Sequence, residues 1–427
     1  MARHRGRIFF TLILLVFLQQ QVQAQSAYST YSILGVGDFI DPAVPAAMGM
    51  AGLGLSNGSP FYLNNVNPAL LYYNSLATFS AGLLAESKTV NQTGFEPYQA
   101  GSGNLNHLAL AYPLVRNKWS FSLGLQPYTS VNYSFYYNAQ ADNPDYAAQS
   151  IILNEGSGGI TSLNFAVGGK IFKGLSVGLK ASYLFSSYEK EYSSITDATP
   201  PSFIAVYYQR QAVQDFVFGG GLAYQQKIGE FQLGLGAIYD IQSDVNSTEF
   251  VTVEQRTLQS GVIFSDTLRN NSSTKLSLPS TLGLGISFGK PQYWLVGFDY
   301  KTQDWSRLNL DDPSASSDSF TTGSKFVLGA EFIADPMDVR SYLKRITWRI
   351  GGSYEEKPYI LGNTQIKEIG INFGWTLPVS RFSSLDFGLM IGNRGTTSNN
   401  LVKEDFFKVY FGATFNDNRW FIRPKFN

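Results

Sequence analysis

The chain has 427 residues, 15% of them charged and 15% aromatic, with 41 glycines and no cysteine. Lysine plus arginine and aspartate plus glutamate balance at 32 each, so no basic excess offers itself to nucleic acid. Lack of cysteine excludes a disulfide scaffold, and two histidines are too few for an ordinary transition-metal site.

Residues 1–24 read as a secretory signal peptide. Arg3, Arg5 and Arg7 make a basic start, residues 8–18 (IFFTLILLVFL) an apolar core, and Val22 and Ala24 the small positions before a cut. The apolar core is too short to span a bilayer, which takes about 20 residues. Cleavage after Ala24 lowers the net charge to about −3 and leaves one histidine, His107. No later segment reaches the roughly 18 consecutive apolar residues of a transmembrane helix. An exported chain without disulfides points to a Gram-negative envelope.

Residues 25–76 do not alternate as strands do. They contain YSILGVGDF, AAMGMAGLGLSNGS and NNVNPALLYY. Gly35, Gly37, Gly49, Gly52 and Gly54 permit tight turns and close approach to a wall. Pro68 pushes Asn67 out of the helical region, so Asn67-Pro68 is a hard turn. The stretch is too apolar for a free tail.

From residue 77 the dominant period is 2, as strands require. In 119–126, Trp119, Phe121, Leu123 and Leu125 alternate with Ser120, Ser122, Gly124 and Gln126. In 344–354, Trp348 and Ile350 oppose Arg349 and Gly351; in 407–415, Phe407, Phe411 and Phe415 oppose Lys408 and Gly412. Fourteen strands are expected: 77–87, 104–113, 117–130, 160–171, 174–188, 214–226, 230–242, 275–289, 292–304, 323–334, 344–356, 366–378, 381–394 and 404–416. Short turns alternate with long polar segments, notably 131–159, 189–213 and 243–274. Apolar-out, polar-in strands with that rhythm are what an outer-membrane barrel needs, because in lipid only helices and closed barrels pair every backbone group.

The expected fold is therefore all-β: a fourteen-stranded antiparallel transmembrane β-barrel over 77–427, with residues 25–76 as a hatch inside the lumen. An even strand count puts both termini in the periplasm. Outer-membrane lipid and lipopolysaccharide would surround the barrel. Of the inward positions, Leu184, Ile238 and Met390 are the apolar exceptions, too scattered to define a greasy pocket. Trp420 and Phe421 are candidate headgroup anchors.

Catalytic chemistry has little to stand on. His107 lies in NLNHLALAY, pointing inward with Ala109 and Ala111, and reads as a lumen contact rather than a general base. The glycines of GMAGLG neither follow a strand nor open a helix, which rejects a nucleotide loop. DDPSASSDS at 311–319 lacks the spacing of a calcium loop. No enzyme, cofactor or metal is expected.

Gly49-Met50-Ala51-Gly52 followed by Asn67-Pro68-Ala69 before the first strand resembles the outer-membrane long-chain fatty-acid and hydrocarbon transporter family (FadL-like). The stretch 278–306 is similar to that family's Leu-Pro strand and following Tyr…Trp strand, through Pro279 and Trp305. SILGVGDF, GNRGTT and NDNRWF look like a divergent branch found in envelope proteins of gliding and gut-type Gram-negative bacteria. The resemblance implies an outer-membrane channel for hydrophobic small molecules, gated by a hatch in which Gly49, Gly52, Asn67, Pro68 and Ala69 take part. It also implies a lateral gap near strand 3, where Pro127 is a candidate kink because proline removes a ladder hydrogen bond. The alternative is an accessory or shuttle barrel of a type IX-like protein secretion system, binding a protein partner through its long loops.

Overall fold

The computed structural model describes residues 29–140, 149–196, 203–257, 261–306, 320–380 and 383–417. The expected signal peptide, the 311–319 run and Trp420 with Phe421 lie outside these residues. The described chain closes into an antiparallel barrel of fourteen strands. They are β1 (Ala77–Gln92), β2 (Tyr98–Val115), β3 (Trp119–Pro127 and Tyr133–Gln140), β4 (Gln149–Gly158 and Thr161–Lys170) and β5 (Leu175–Thr196). Then come β6 (Phe203–Ile228), β7 (Phe231–Asp240 and Ser243–Thr257), β8 (Gly261–Leu278 and Thr281–Lys290), β9 (Trp294–Asp304) and β10 (Thr322–Ile333). The last four are β11 (Thr347–Leu361), β12 (Thr364–Pro378), β13 (Ser384–Gly395) and β14 (Val402–Asp417). β1 pairs with both β2 and β14, which closes the circuit of the described strands.

The alternation has a visible cause on β12. Ile369, Ile371 and Phe373 are 44–53% exposed on the outer face, while Glu368 and Asn372 are buried on the inner one. Trp348 and Ile350 on β11, and Phe407, Phe411 and Phe415 on β14, follow the same rule. A ring of exposed apolar side chains backed by buried polar ones suits a wall between lipid and a polar lumen.

The expected long polar loops need correction. Much of 131–159, 189–213 and 243–274 is strand: β5 runs on to Thr196, β6 starts at Phe203, and β7 and β8 extend through Thr257 and back from Gly261. β6 alone has 26 residues, about 85 Å at the usual rise per residue. A tilted strand crosses the bilayer with about 9–11 residues. The extra length stands clear of lipid, where neither face has to be apolar; Tyr, Thr, Gln and Val fill it and the apolar-polar rhythm fades. β3, β4, β7 and β8 are each interrupted between their two halves, β8 at Pro279, which cannot donate to a ladder.

Candidate functional site

Residues 43–73 pack against inner faces around the barrel. The wall receives them at glycines. A Cβ on Gly178 would lie 2.3 Å from the carbonyl carbon of Pro68, one on Gly351 2.5 Å from that of Met50, and one on Gly236 1.8 Å from the Leu55 oxygen. No side chain fits there, so the wall is shaped to the segment's backbone. Polar wall side chains satisfy that irregular backbone, as buried main-chain groups require. Asp299 Oδ2 accepts from Gly54 N at 2.8 Å and Leu55 N at 2.9 Å, and Asn372 Nδ2 donates to Met48 O at 2.8 Å.

The sequence-derived residues fall in this contact zone. Gly49 meets Gly374 of β12, and Gly52, at φ +84°, faces Asp41. Asn67 caps a short 3₁₀ turn (Pro68–Tyr73) by accepting from Ala69 N at 3.0 Å. Its Nδ2 donates to Leu55 O at 2.7 Å and to Leu222 O of β6 at 3.1 Å. Ala69 is fully buried beside Leu70 and Ala223. The Asn-Pro-Ala turn thus bears on β4, β5 and β6 rather than on the start of β1. Leu70 and Leu71 are buried as well. His107 bonds Ser80 Oγ and Asn106 Oδ1, both at 2.8 Å, beside Gly82 and Pro45.

Pro127 ends the first half of β3, and the wall changes course after it. The β2–β3 ladder runs from Val115–Trp119 to Leu108–Leu125 and stops. Beyond that point, among the described residues, β2 pairs with β1 and β3 with β4, leaving a seam between them. Residues 128–132 bend inward to the N-terminal segment: Asp38 and Phe39 pair with Ser130 and Thr129, Ile40 N donates to Tyr128 O, and Ser29 N donates to Asn132 O.

Around this bend lies an apolar cluster that the sequence did not disclose. Val36, Val131, Ile160, Leu184, Val213, Leu278 and Trp305 are buried together, with Phe39 edge-on to Trp305 at 4.6 Å. Leu184, one of the three inward exceptions, joins it; Ile238 and Met390 pack on the N-terminal segment elsewhere. Several members come from the bend or from residues just past a strand, so period-2 counting along strands missed them. A cavity of about 320 Å³ lies against the cluster, bordered by Phe39, Tyr128 and Leu278 on one side. Asn104, Gln126, Asn164 and Ser182 face it from β2 to β5, and Lys325, Glu355, Glu368 and Arg394 from β10 to β13.

Those charges meet the N-terminal segment. Asp38 pairs with Arg394 at 2.7 Å and Asp41 with Lys325 at 2.7 Å, all four side chains at most 20% exposed. Burial pushes both carboxyls up, but Arg394 and Lys88 at Asp38, and Lys325 and Lys301 at Asp41, hold them below their ordinary values. Ser29 Oγ donates to Glu404 at 2.8 Å. Among the described residues, no cluster of acids and histidine offers a metal site.

A family model described as BamG matches residues 6–427. The chain belongs to the BamG family. No curated protein matches it in sequence. Its fold is FadL-like. The CymD monoaromatic hydrocarbon channel is 17% identical over 89% of this chain and 99% of that one, with a TM-score of 0.57. The toluene transporter TbuX of Ralstonia pickettii is 16% identical over 88% and 98%, at 0.54. A FadL homologue of Pseudomonas aeruginosa is 13% identical over 89% and 100%, at 0.55. At these identities the likeness of this BamG-family barrel to the channels is one of fold.

Proposed function

We propose that this BamG-family chain is an outer-membrane channel for hydrophobic small molecules, stoppered by residues 25–76 and entered or left sideways at the β2–β3 seam. The observation that carries the reading is the inward bend of β3 beside a buried apolar cluster and a cavity. An apolar solute in the bilayer reaches that cluster through the seam without crossing the polar end of the lumen. Pro127 marks where the ladder is given up. Both termini are read as periplasmic, at the end with the short turns. The solved channels of the same fold, described as carrying hydrocarbons, lend support.

A second reading, an accessory barrel that binds a protein such as a secretion component, is favoured by the tall hairpins. At the far end of β8, Ile263, Phe264 and Leu268 are 55–58% exposed in a part of the strand paired only with β7 among the described residues. Such surface suits protein contact better than solvent. Mass spectrometry of what accompanies the detergent-extracted full chain separates the readings. A tightly held apolar small molecule supports the channel. A stoichiometric protein partner with no small molecule supports the accessory.

A further inference from the structure

Between residues 25 and 76 the chain carries two charged side chains, Asp38 and Asp41. Both point at the wall cations Arg394 on β13 and Lys325 on β10. The main chain of the same short stretch holds the inward bend of β3, through the Asp38–Ser130 and Phe39–Thr129 pairing and the Ile40 N bond to Tyr128 O. β3 and β10 stand half the circuit of fourteen strands apart. Residues 38–41 therefore bridge the lumen, with backbone against β3 and carboxylates on β13 and β10.

We infer that residues 38–41 are an ionic latch that couples closure of the lumen to the bent shape of β3. The inference rests on the reading of residues 25–76 as the stopper. Elsewhere the segment offers only uncharged groups to the wall: glycine seats, the Asn64 and Asn67 side chains, the Gly54 N–H that Asp299 accepts, and carbonyls that take bonds from Asn372 and Lys190. Its own charged side chains stand only at residues 38 and 41, in a shielded place where an ion is tolerated only if paired. The wall cations also have a second acid in reach. Arg394 Nε bonds Glu368 at 2.8 Å, and Lys325 lies 3.9 Å from Glu355. When the strap leaves, neither cation is stranded, and the two carboxylates regain water. That arrangement suits a contact made and broken in service, because the released state contains no orphaned wall charge. With the strap gone, residues 128–132 lose their inner partners, and the seam changes with the lumen.

The test uses the full chain in planar lipid bilayers at neutral pH, beside the double variant D38N/D41N and a variant lacking residues 26–66. Band mobility on heating in detergent gels verifies that each barrel is folded. A single introduced cysteine, S130C in this cysteine-free chain, reports the bend by its rate of labelling with a membrane-impermeant maleimide. The latch predicts that D38N/D41N raises open time at least fivefold and speeds labelling of S130C at least tenfold. If the deletion opens the pore but D38N/D41N leaves both readouts unchanged, the latch is overturned and the stopper stands. If the deletion itself leaves conductance unchanged, the stopper reading falls and the latch with it. Should the double variant fail to fold, D41N alone is read by the same criteria.

Discussion

Gly178 and Asn67 illustrate what single positions contribute. Replacing Gly178 with valine sets a side chain where the Pro68 carbonyl carbon already lies, 2.3 Å from the first added carbon. The expected cost is about 1–3 kcal/mol, the usual penalty for overpacking. It should appear as a lower melting temperature, with earlier protease cleavage near residues 67–76. An unchanged melt would mean the turn does not seat there. Asn67→Ala removes three bonds around one buried side chain and leaves Leu55 O and Ala69 N without their partner. About 1–3 kcal/mol of local stability should go. Combined with Pro68→Ala, it should loosen the segment while the strands keep the barrel folded; normal ligand uptake by the folded double variant would refute a locking role. Asp38 and Asp41 set a pH expectation. Their folded values lie below the ordinary carboxyl range, so the unfolded chain binds more protons than the folded one. The stability they contribute is present above roughly pH 4 and is lost as pH falls through the lowered values. Limited proteolysis of the N-terminal segment should be flat from pH 5 to 8 and rise only below about 4.

β3 is the element on which the account turns. Its lower half is an ordinary barrel strand between β2 and β4; residues 128–132 exchange β2 for the strap at 38–41. Deleting residues 26–41 should therefore raise amide exchange in 128–132 at least tenfold while 120–125 stay protected, since the latter pair within the barrel. Equal protection in both stretches would mean the bend is self-supporting. Pro127, singled out in the sequence as a candidate kink, is the last residue of the first half of β3. The inner partner of the bend was not legible, because a two-residue bridge leaves no periodic trace. The tall hairpins escaped for a related reason. Above the lipid the apolar-polar contrast vanishes, and residues 189–213 read as loop although backbone pairing joins Glu191 to Tyr208 and Ser186 to Val213. Strand order and the lipid-facing belt were legible because lipid enforces the contrast at every second residue. The glycine-rich inner face was visible too, yet its meaning, a mould for the N-terminal backbone, needed the third dimension.

At the scale of the whole molecule, an outward apolar belt surrounds inner faces against which residues 43–73 pack. Charge lies mainly on β10 to β14 and β1, neutral amides on β2 to β5, and an apolar cluster beside the seam. On the proposed reading, that asymmetry offers an apolar route from the bilayer to the cluster at the β2–β3 seam. Deleting residues 26–66 should leave a folded barrel that leaks small polar solutes from liposomes several-fold faster than the full chain; equal leakage would show that the segment does not stop the lumen. The most direct measurement of the central claim is uptake of a labelled apolar tracer, such as toluene or oleate, by liposomes containing the full chain. Saturable uptake above protein-free liposomes, suppressed by an unlabelled apolar competitor and not by a sugar, is the expected result. Uptake no faster than through bare lipid, by protein shown to be folded, would contradict the account.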